Sequence, residues 1–319
     1  MMKSRRGYWM GMFLGGGLLL GSLMMAQWSA AATYHVAPGG ADNNPGTADQ
    51  PFRTVRVGVQ ALASGDTLYL RAGTYGESID SGLPTGTSWS DAPLIAAYPG
   101  ETVRIRGIAV GSYVQYIIFD GLILDSGDAE SFRLWIEGAH HIRVQNCEIR
   151  NARLSGVALF ASFNEIINCK VHDNGSTDFD HGLYITGSNN LVEGSQIYHN
   201  AGWGVHIYTG TGSGADNNIV RDNEIYENAW VGARGTGIIL SSGTGNIAEG
   251  NRIWSNHDGI HIDYGSIGSQ AFNNEVYDNQ QYGIIIGDGS QGAVVYGNKV
   301  YDNSGGNIVN YGSGSSISQ

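Results

Sequence analysis

Between residues 146 and 303, polar and apolar positions recur in one short phrase: a polar residue, a spacer, Ile or Val, two polar residues, then Asn. The Ile/Val anchors fall at 149, 171, 197, 225, 253, 276 and 300, a period of 22 to 28 residues, and the first copy is one residue short. A second piece in each period opens on Gly and then alternates, as in Gly182-Leu-Tyr-Ile, Gly204-Val-His-Ile and Gly259-Ile-His-Ile. A third is a brief apolar pair after a polar turn, such as Leu191-Val192 or Ile219-Val220. Runs this short are not helices, and no window carries a helical period. Three strand-like pieces per period predict an all-β fold: a right-handed parallel β-helix, a three-sheet solenoid whose hand follows the usual parallel crossover. The closing residues Asn174, Asn200, Asn228, Asn256, Asn279 and Asn303 are expected to turn the chain in the left-handed region and to form a side-chain ladder.

The pattern changes toward the N-terminus. Residues 33–110 are expected to hold the cap and first coils, 111–309 the β-helix repeats, and 310–319 a flexible Gly/Ser-rich tail. The segment 51–63 is the one predicted helix, with Thr54 as N-cap and Val55, Val59 and Leu62 on one face. Such a helix would cover the exposed strand edges at the end of a solenoid. Residues 1–32 read as a secretory signal peptide: Lys3, Arg5 and Arg6, then an apolar run, then Ser29-Ala30-Ala31-Ala32. The expected location is therefore secreted, extracellular or periplasmic, with no membrane association after cleavage.

Composition narrows the partners. The chain has 49 Gly against 6 Pro, which suits many tight turns. Its net charge is −12, with 17 basic and 29 acidic residues; removing the leader takes away three basic residues and leaves −15. A surface this acidic repels nucleic acid and anionic membranes. Cys147 and Cys169 occupy equivalent places in consecutive periods, so they are expected to stack about 4.8 Å apart. A reduced, buried apolar pair is the favoured reading over a disulfide.

The stretch from Tyr34 to Thr47 (YHVAPGGADNNPGT), then Gln50-Pro-Phe-Arg-Thr, Gly65-Asp-Thr and Gly73-Thr-Tyr, resembles the entry motif of secreted bacterial right-handed β-helix proteins of the pectate-lyase-like superfamily, family-nine pectate lyases especially. Together with the repeats, the resemblance covers nearly all of the chain after the leader. It implies a β-helix and a carbohydrate substrate. Family-nine lyases use a Lys base beside Ca²⁺-binding Asp residues, and that pattern is not matched here. Lys170 lies in an anchor phrase, and Asp173, Asp178 and Asp180 follow it without a paired-Asp motif. The Asp pair and Gly-His-Gly of galacturonase-type hydrolases are missing too.

Candidate chemistry lies on the Gly-led strands. Positions one and three after Gly are always apolar and should face inward, so positions two and four face out. Stacking then lines up Tyr184, His206, Ile239 and His261 in one outward column, Tyr208 and Asp263 in a second, and His181, Trp203 and Asp258 in a third; Ile239 in the first column points to partial covering by a loop. Aromatic faces suit the C–H groups of sugar rings. Proton abstraction at C5 of a uronic acid needs a base and a positive neutraliser. His181, Tyr184, His206 and His261 are the base candidates, with Arg234 or Ca²⁺ as neutraliser. Trp203, Tyr208, Asp258 and Asp263 are the substrate-binding candidates. Asp173, Asp178 and Asp180 are candidate ligands for Ca²⁺, and no organic cofactor is expected. Hydrolysis needs two carboxylates about 5–9.5 Å apart, whereas Asp180 and Asp258 should lie roughly 14 Å apart. The sequence thus points to a secreted carbohydrate-active protein, a lyase or epimerase on a uronate-containing polysaccharide. The alternative is a non-catalytic glycan-binding or surface-structural β-helix. Oligomeric state is left open.

Overall fold

A computed structural model describes residues 30–125, 132–210, 214–231 and 235–318. The leader expected over 1–32 lies almost wholly outside the described residues. Residues 31–319 form one compact unit. Its strands fall into three parallel ladders, each strand pairing with its counterpart one period on. The apolar pairs form one ladder, from Thr33–Val36 to Ser316–Ser318. The anchor phrases form a second, through Glu148–Arg150, Gln196–Tyr198 and Lys299–Tyr301. The Gly-led pieces form the third, through Leu183–Ile185, Val205–Ile207 and Asp258–Asp263. Val103–Val110 pairs with strands of both the second and third ladders, which joins the two into one hydrogen-bonded sheet. This is the expected parallel β-helix.

Register follows from what must be buried. Val157, Leu183, Val205, Ile238, Ile260 and Ile284 pair in one interior row, each with no exposed surface. The anchors Ile149, Val171, Ile197, Ile225, Ile253 and Val276 make a second such row. Because side chains alternate along a strand, a slip of one residue would turn a whole row to solvent. Each fully buried Ile or Val is worth about 1.5–3 kcal/mol, so register is held at every coil.

The corners are held by asparagine. Asn228 is buried; its Nδ2 donates to Ile197 O at 3.0 Å, Tyr226 O at 3.1 Å and Asn256 Oδ1 at 3.1 Å. Its Oδ1 accepts from the backbone N–H and the Nδ2 of Asn200. The ladder runs Asn174, Asn200, Asn228, Asn256, Asn279, Asn303, as expected. The left-handed turn, however, falls one residue earlier than expected, on Asp173, His199, Glu227, Ser255, Asp278 and Asp302. The Asn amide is needed inside the corner to pair backbone groups of its own and neighbouring coils, so the solvent-facing residue before it makes the bend. Two further ladders occupy the other corners: Asn164, Asn190, Asn218 and Asn246, and Asn223, Asn251, Asn274 and Asn298. The glycine that opens each third-ladder strand sits beside the first Asn ladder. A Cβ on Gly204 would come within 2.6 Å of Gly237 O and 3.1 Å of Asn228 Nδ2.

Three other expectations meet the structure. The helix spans Val55–Ala61, shorter than predicted, with Thr54 Oγ1 accepting from Val57 N and Val55 and Val59 buried. A Cβ on its Gly58 would lie 2.5 Å from Val36, so the helix sits directly on the first strand. Cys147 and Cys169 are free and buried, and burial together with the neighbouring Cys169 thiol raises the Cys147 pKa. The tail expected to be flexible carries a strand instead. Ser316–Ser318 pairs with Val294–Tyr296, setting Ile317 opposite Val295 in the last rung, where it stays 40% exposed. Among the described residues no helix is long and apolar enough to cross a membrane.

Asn228→Ala leaves several buried amide and carbonyl groups unpaired at once, so it is expected to cost about 2–4 kcal/mol in denaturant unfolding. Glu227→Gly, at the adjoining left-handed position, is expected to change stability by less than about 1 kcal/mol.

Candidate functional site

The third ladder carries the site. Tyr184 pairs with His206, His206 with Ile239, and Ile239 with His261. With their backbones locked at sheet spacing, Tyr184 and His206 hold their rings 5.3 Å apart. His181 and Trp203, just before the opening glycines, lean over the same strands. The His181 ring is 4.7 Å from both Trp203 and His206, and Trp203 is 4.8 Å from His206. Tyr208 stacks on His206 at 5.4 Å with planes 9° apart. These five predicted residues line one cavity of about 480 Å³, with Phe160, Phe179, Ile239 and Tyr264 among its walls.

Two imidazoles meet at its base. His206 Nδ1 lies 3.1 Å from His181 Nε2, so one neutral ring donates and the other accepts. His181 is buried; its backbone N–H donates to Ser155 Oγ at 2.9 Å, and its Nδ1 has no hydrogen-bond partner among the described residues. Burial, with the adjacent His206, pushes the His181 pKa well down. Burial pushes His206 down to about 3. Burial, with the nearby Tyr208, raises the Tyr184 phenol. The site therefore holds two neutral imidazoles and a neutral phenol at ordinary pH. That is a proton acceptor beside a proton donor.

Other candidates lie elsewhere. His261 is separated from His206 by Ile239, the apolar member of the same column, which is 2% exposed. His261 Nε2 lies 3.2 Å from Asp263 Oδ2. Asp258 pairs with His257 at 2.9 Å and accepts from Tyr282 N at 3.0 Å. None of these three lines the cavity. Asp180 does, but its Oδ2 accepts from the backbone N–H groups of Ser176 at 2.9 Å and Thr177 at 2.8 Å, so it shapes its own turn. Asp173 bridges His172 and His199 on the anchor strands. Asp178 is half-buried in the turn between them. Asp173 and Asp180 are thus turned to separate tasks. They do not fit a shared Ca²⁺, and among the described residues no group of three His, Cys, Asp or Glu is arranged for a metal. Arg234 lies outside the described residues. Sequence reasoning missed Phe179 and Tyr264 as wall residues. The available signal was a bulky apolar or aromatic side chain in an otherwise polar turn.

Fold and site together define a parallel β-helix with an aromatic, histidine-bearing groove on one sheet. Residues 34–180 match a family described as Pel9A-like, right-handed β-helix region, and residues 165–319 match one described as right-handed β-helix region. The chain is a pectate-lyase-like right-handed β-helix protein. It is 29% identical over 170 residues to pectate lyase PEL9 of Emericella nidulans, a match covering 53% of this chain and 40% of that one. It is 24% identical over 217 residues to pectate lyase L of Thermoclostridium stercorarium, covering 61% of this chain and 17% of that one. The chain thus spans less than half the length of either relative. Pectate lyase Pel9A superposes with a TM-score of 0.60 at 13% identity, over 91% of this chain and 79% of that one. The alginate lyase of Paenibacillus sp. FPU-7 superposes with a TM-score of 0.59 at 17% identity, over 88% and 99%. At such identities the superpositions show a shared fold.

The histidine shift makes stability depend on pH. Above the ordinary value of 6.5 the imidazole of His206 is neutral folded or unfolded, and stability is complete. Between 6.5 and about 3 the unfolded chain takes up a proton that the folded one refuses, so stability falls with pH. One such group gives a slope approaching about 1.4 kcal/mol per pH unit. His206→Phe is expected to flatten the loss between pH 6.5 and 4.5, where few carboxylates titrate; parallel wild-type and variant curves would contradict the assignment.

Proposed function

We propose that the groove is the active site of a polysaccharide lyase, or of the closely related epimerase, acting on a uronic-acid-containing polymer. The observation that carries this reading is the neutral His206–His181 pair under an aromatic roof. The names of the similar proteins, pectate lyases and an alginate lyase, support the substrate class. In the proposed reaction His206 Nε2 takes the C5 proton. Its Nδ1 proton passes to His181 Nε2, so the pair shares the new charge. The C5–H electrons form the C4=C5 double bond as the C4–O bond breaks, and the Tyr184 phenol protonates the departing oxygen. In an epimerase the C4–O bond stays intact and C5 is re-protonated from the opposite face.

Trp203 and Tyr208 present ring faces to the sugar. Arg234, expected as neutraliser of the substrate carboxylate, keeps that proposed role. Arg106 and Arg133 line a neighbouring cavity of about 400 Å³ that shares Phe132 and Leu154 with the groove. The apolar N-terminal leader supports export, in keeping with a polymer outside the cell. The aromatic lining would also serve a non-catalytic glycan-binding protein, which is the second reading.

Turnover should appear as a rise in absorbance at 232 nm on pectate, alginate or rhamnogalacturonan. His206→Ala is expected to lower kcat at least about 10²-fold with little change in melting. Because burial keeps the base unprotonated, kcat/KM should not fall as pH drops through 6.5. Binding without product or epimerised sugar on every polymer would favour the second reading and reject catalysis.

A further inference from the structure

The turns leading into the first ladder share one left-handed position per coil. Running along the solenoid it is Tyr116, His141, Phe163, Asn189 and Asn217, then Gly245, Gly268, Gly292 and Gly314. The positions are equivalent: Tyr116 and His141 lie between paired neighbours, His141 N donates to Phe163 O, and Phe163 N donates to Ser188 O, next to Asn189. Asn and Gly accept this conformation readily, whereas bulky side chains are strained in it. Three consecutive coils nevertheless place a ring there. Strained residues persist where their side chains have a task.

The rings form an outward ledge. Tyr116 and His141 stack at 4.4 Å, and His141 and Phe163 at 5.8 Å with planes 5° apart. Trp89 closes the near end against Tyr116 at 5.4 Å. Phe163 ends the stack 51% exposed, with no ring among the described residues on its far face. Beside it lies a cavity of about 520 Å³ that includes His140, Phe160 and Ser162. His140 Nδ1 contacts His141 Nδ1 at 2.8 Å, and Ser162 Oγ accepts from Ser188 N, leaving its hydroxyl proton to donate. Phe160 also lines the main groove, so the two cavities adjoin around one side chain.

We propose that this ledge is a second carbohydrate-binding site, in which a sugar ring lies on the Phe163 face and its hydroxyls meet His140 and Ser162. A flat aromatic face beside polar groups matches a pyranose. Nucleobases also stack on rings, but a net charge of −12 repels their phosphates. Continuity around Phe160 makes the ligand a further stretch of the polymer in the groove. The choice of polymer rests on the proposed function; the presence of a sugar site does not.

Phe163→Asn tests it, because Asn suits the left-handed turn and removes only the ring. Affinity electrophoresis of the intact protein through gels containing pectate, alginate or rhamnogalacturonan reads binding without turnover. The variant is expected to bind at least fivefold more weakly, with melting unchanged or raised and turnover of short oligosaccharides unchanged. Unchanged retention overturns the proposal, and so does a fall in melting temperature, which would assign the ring to packing. If wild type is retained but turns over nothing, the catalytic reading of the groove fails, and the ledge stands when Phe163→Asn weakens that retention. If no glycan retards wild type, the ledge fails.

Discussion

Stacking in register is the constraint on which the molecule depends. Every coil must place an aliphatic residue over the one below while its backbone amides pair along the axis. The interior rows through Val205 and Ile225 provide the first condition. The asparagine ladders provide the second where no strand does, since each side-chain amide pairs backbone groups across a corner. The two conditions reinforce each other. The Asn side chains pack against glycines that have no room for a Cβ, and those glycines open the strands that carry the groove.

The site inherits its geometry from that repetition. Tyr184 and His206 are neighbours because Leu183 and Val205 are neighbours. A β-helix offers such columns at every coil, and most are ordinary surface. Tyr198, Tyr226, Trp254, Tyr277 and Tyr301 stack along the anchor ladder with planes within 10° of parallel, so their faces cover one another. The groove differs because long turns close over it. Phe179 and Trp203 roof the imidazoles, burial follows, and burial keeps His206 and His181 neutral.

What could be read from the sequence divides along the same line. The ladders, the interior rows and the closing Asn residues were legible because a residue repeated at a fixed step has one place to go. His181, Tyr184, Trp203, His206 and Tyr208 were legible as neighbours for the same reason. His261 shares their column but not their cavity, because Ile239 stands between it and His206 in that column and is buried. Asp173, Asp178 and Asp180 looked like a cation site because they are close in sequence. The turn that holds them points Asp173 at two histidines and folds Asp180 onto its own amides. Turn conformation is set by local hydrogen bonds that spacing does not encode, and the aromatic ledge has no sequence signature because its left-handed position is Tyr, His, Phe, Asn or Gly in different coils.

The proposed proton transfer turns on the charge state of His206. Nitrogen-15 NMR of the imidazoles across pH 4 to 8 reads it directly. His206 is predicted to stay neutral, in one tautomer hydrogen-bonded to His181, down to at least pH 5. A His206 signal that titrates near 6.5 would contradict the buried pair and the proton transfer built on it.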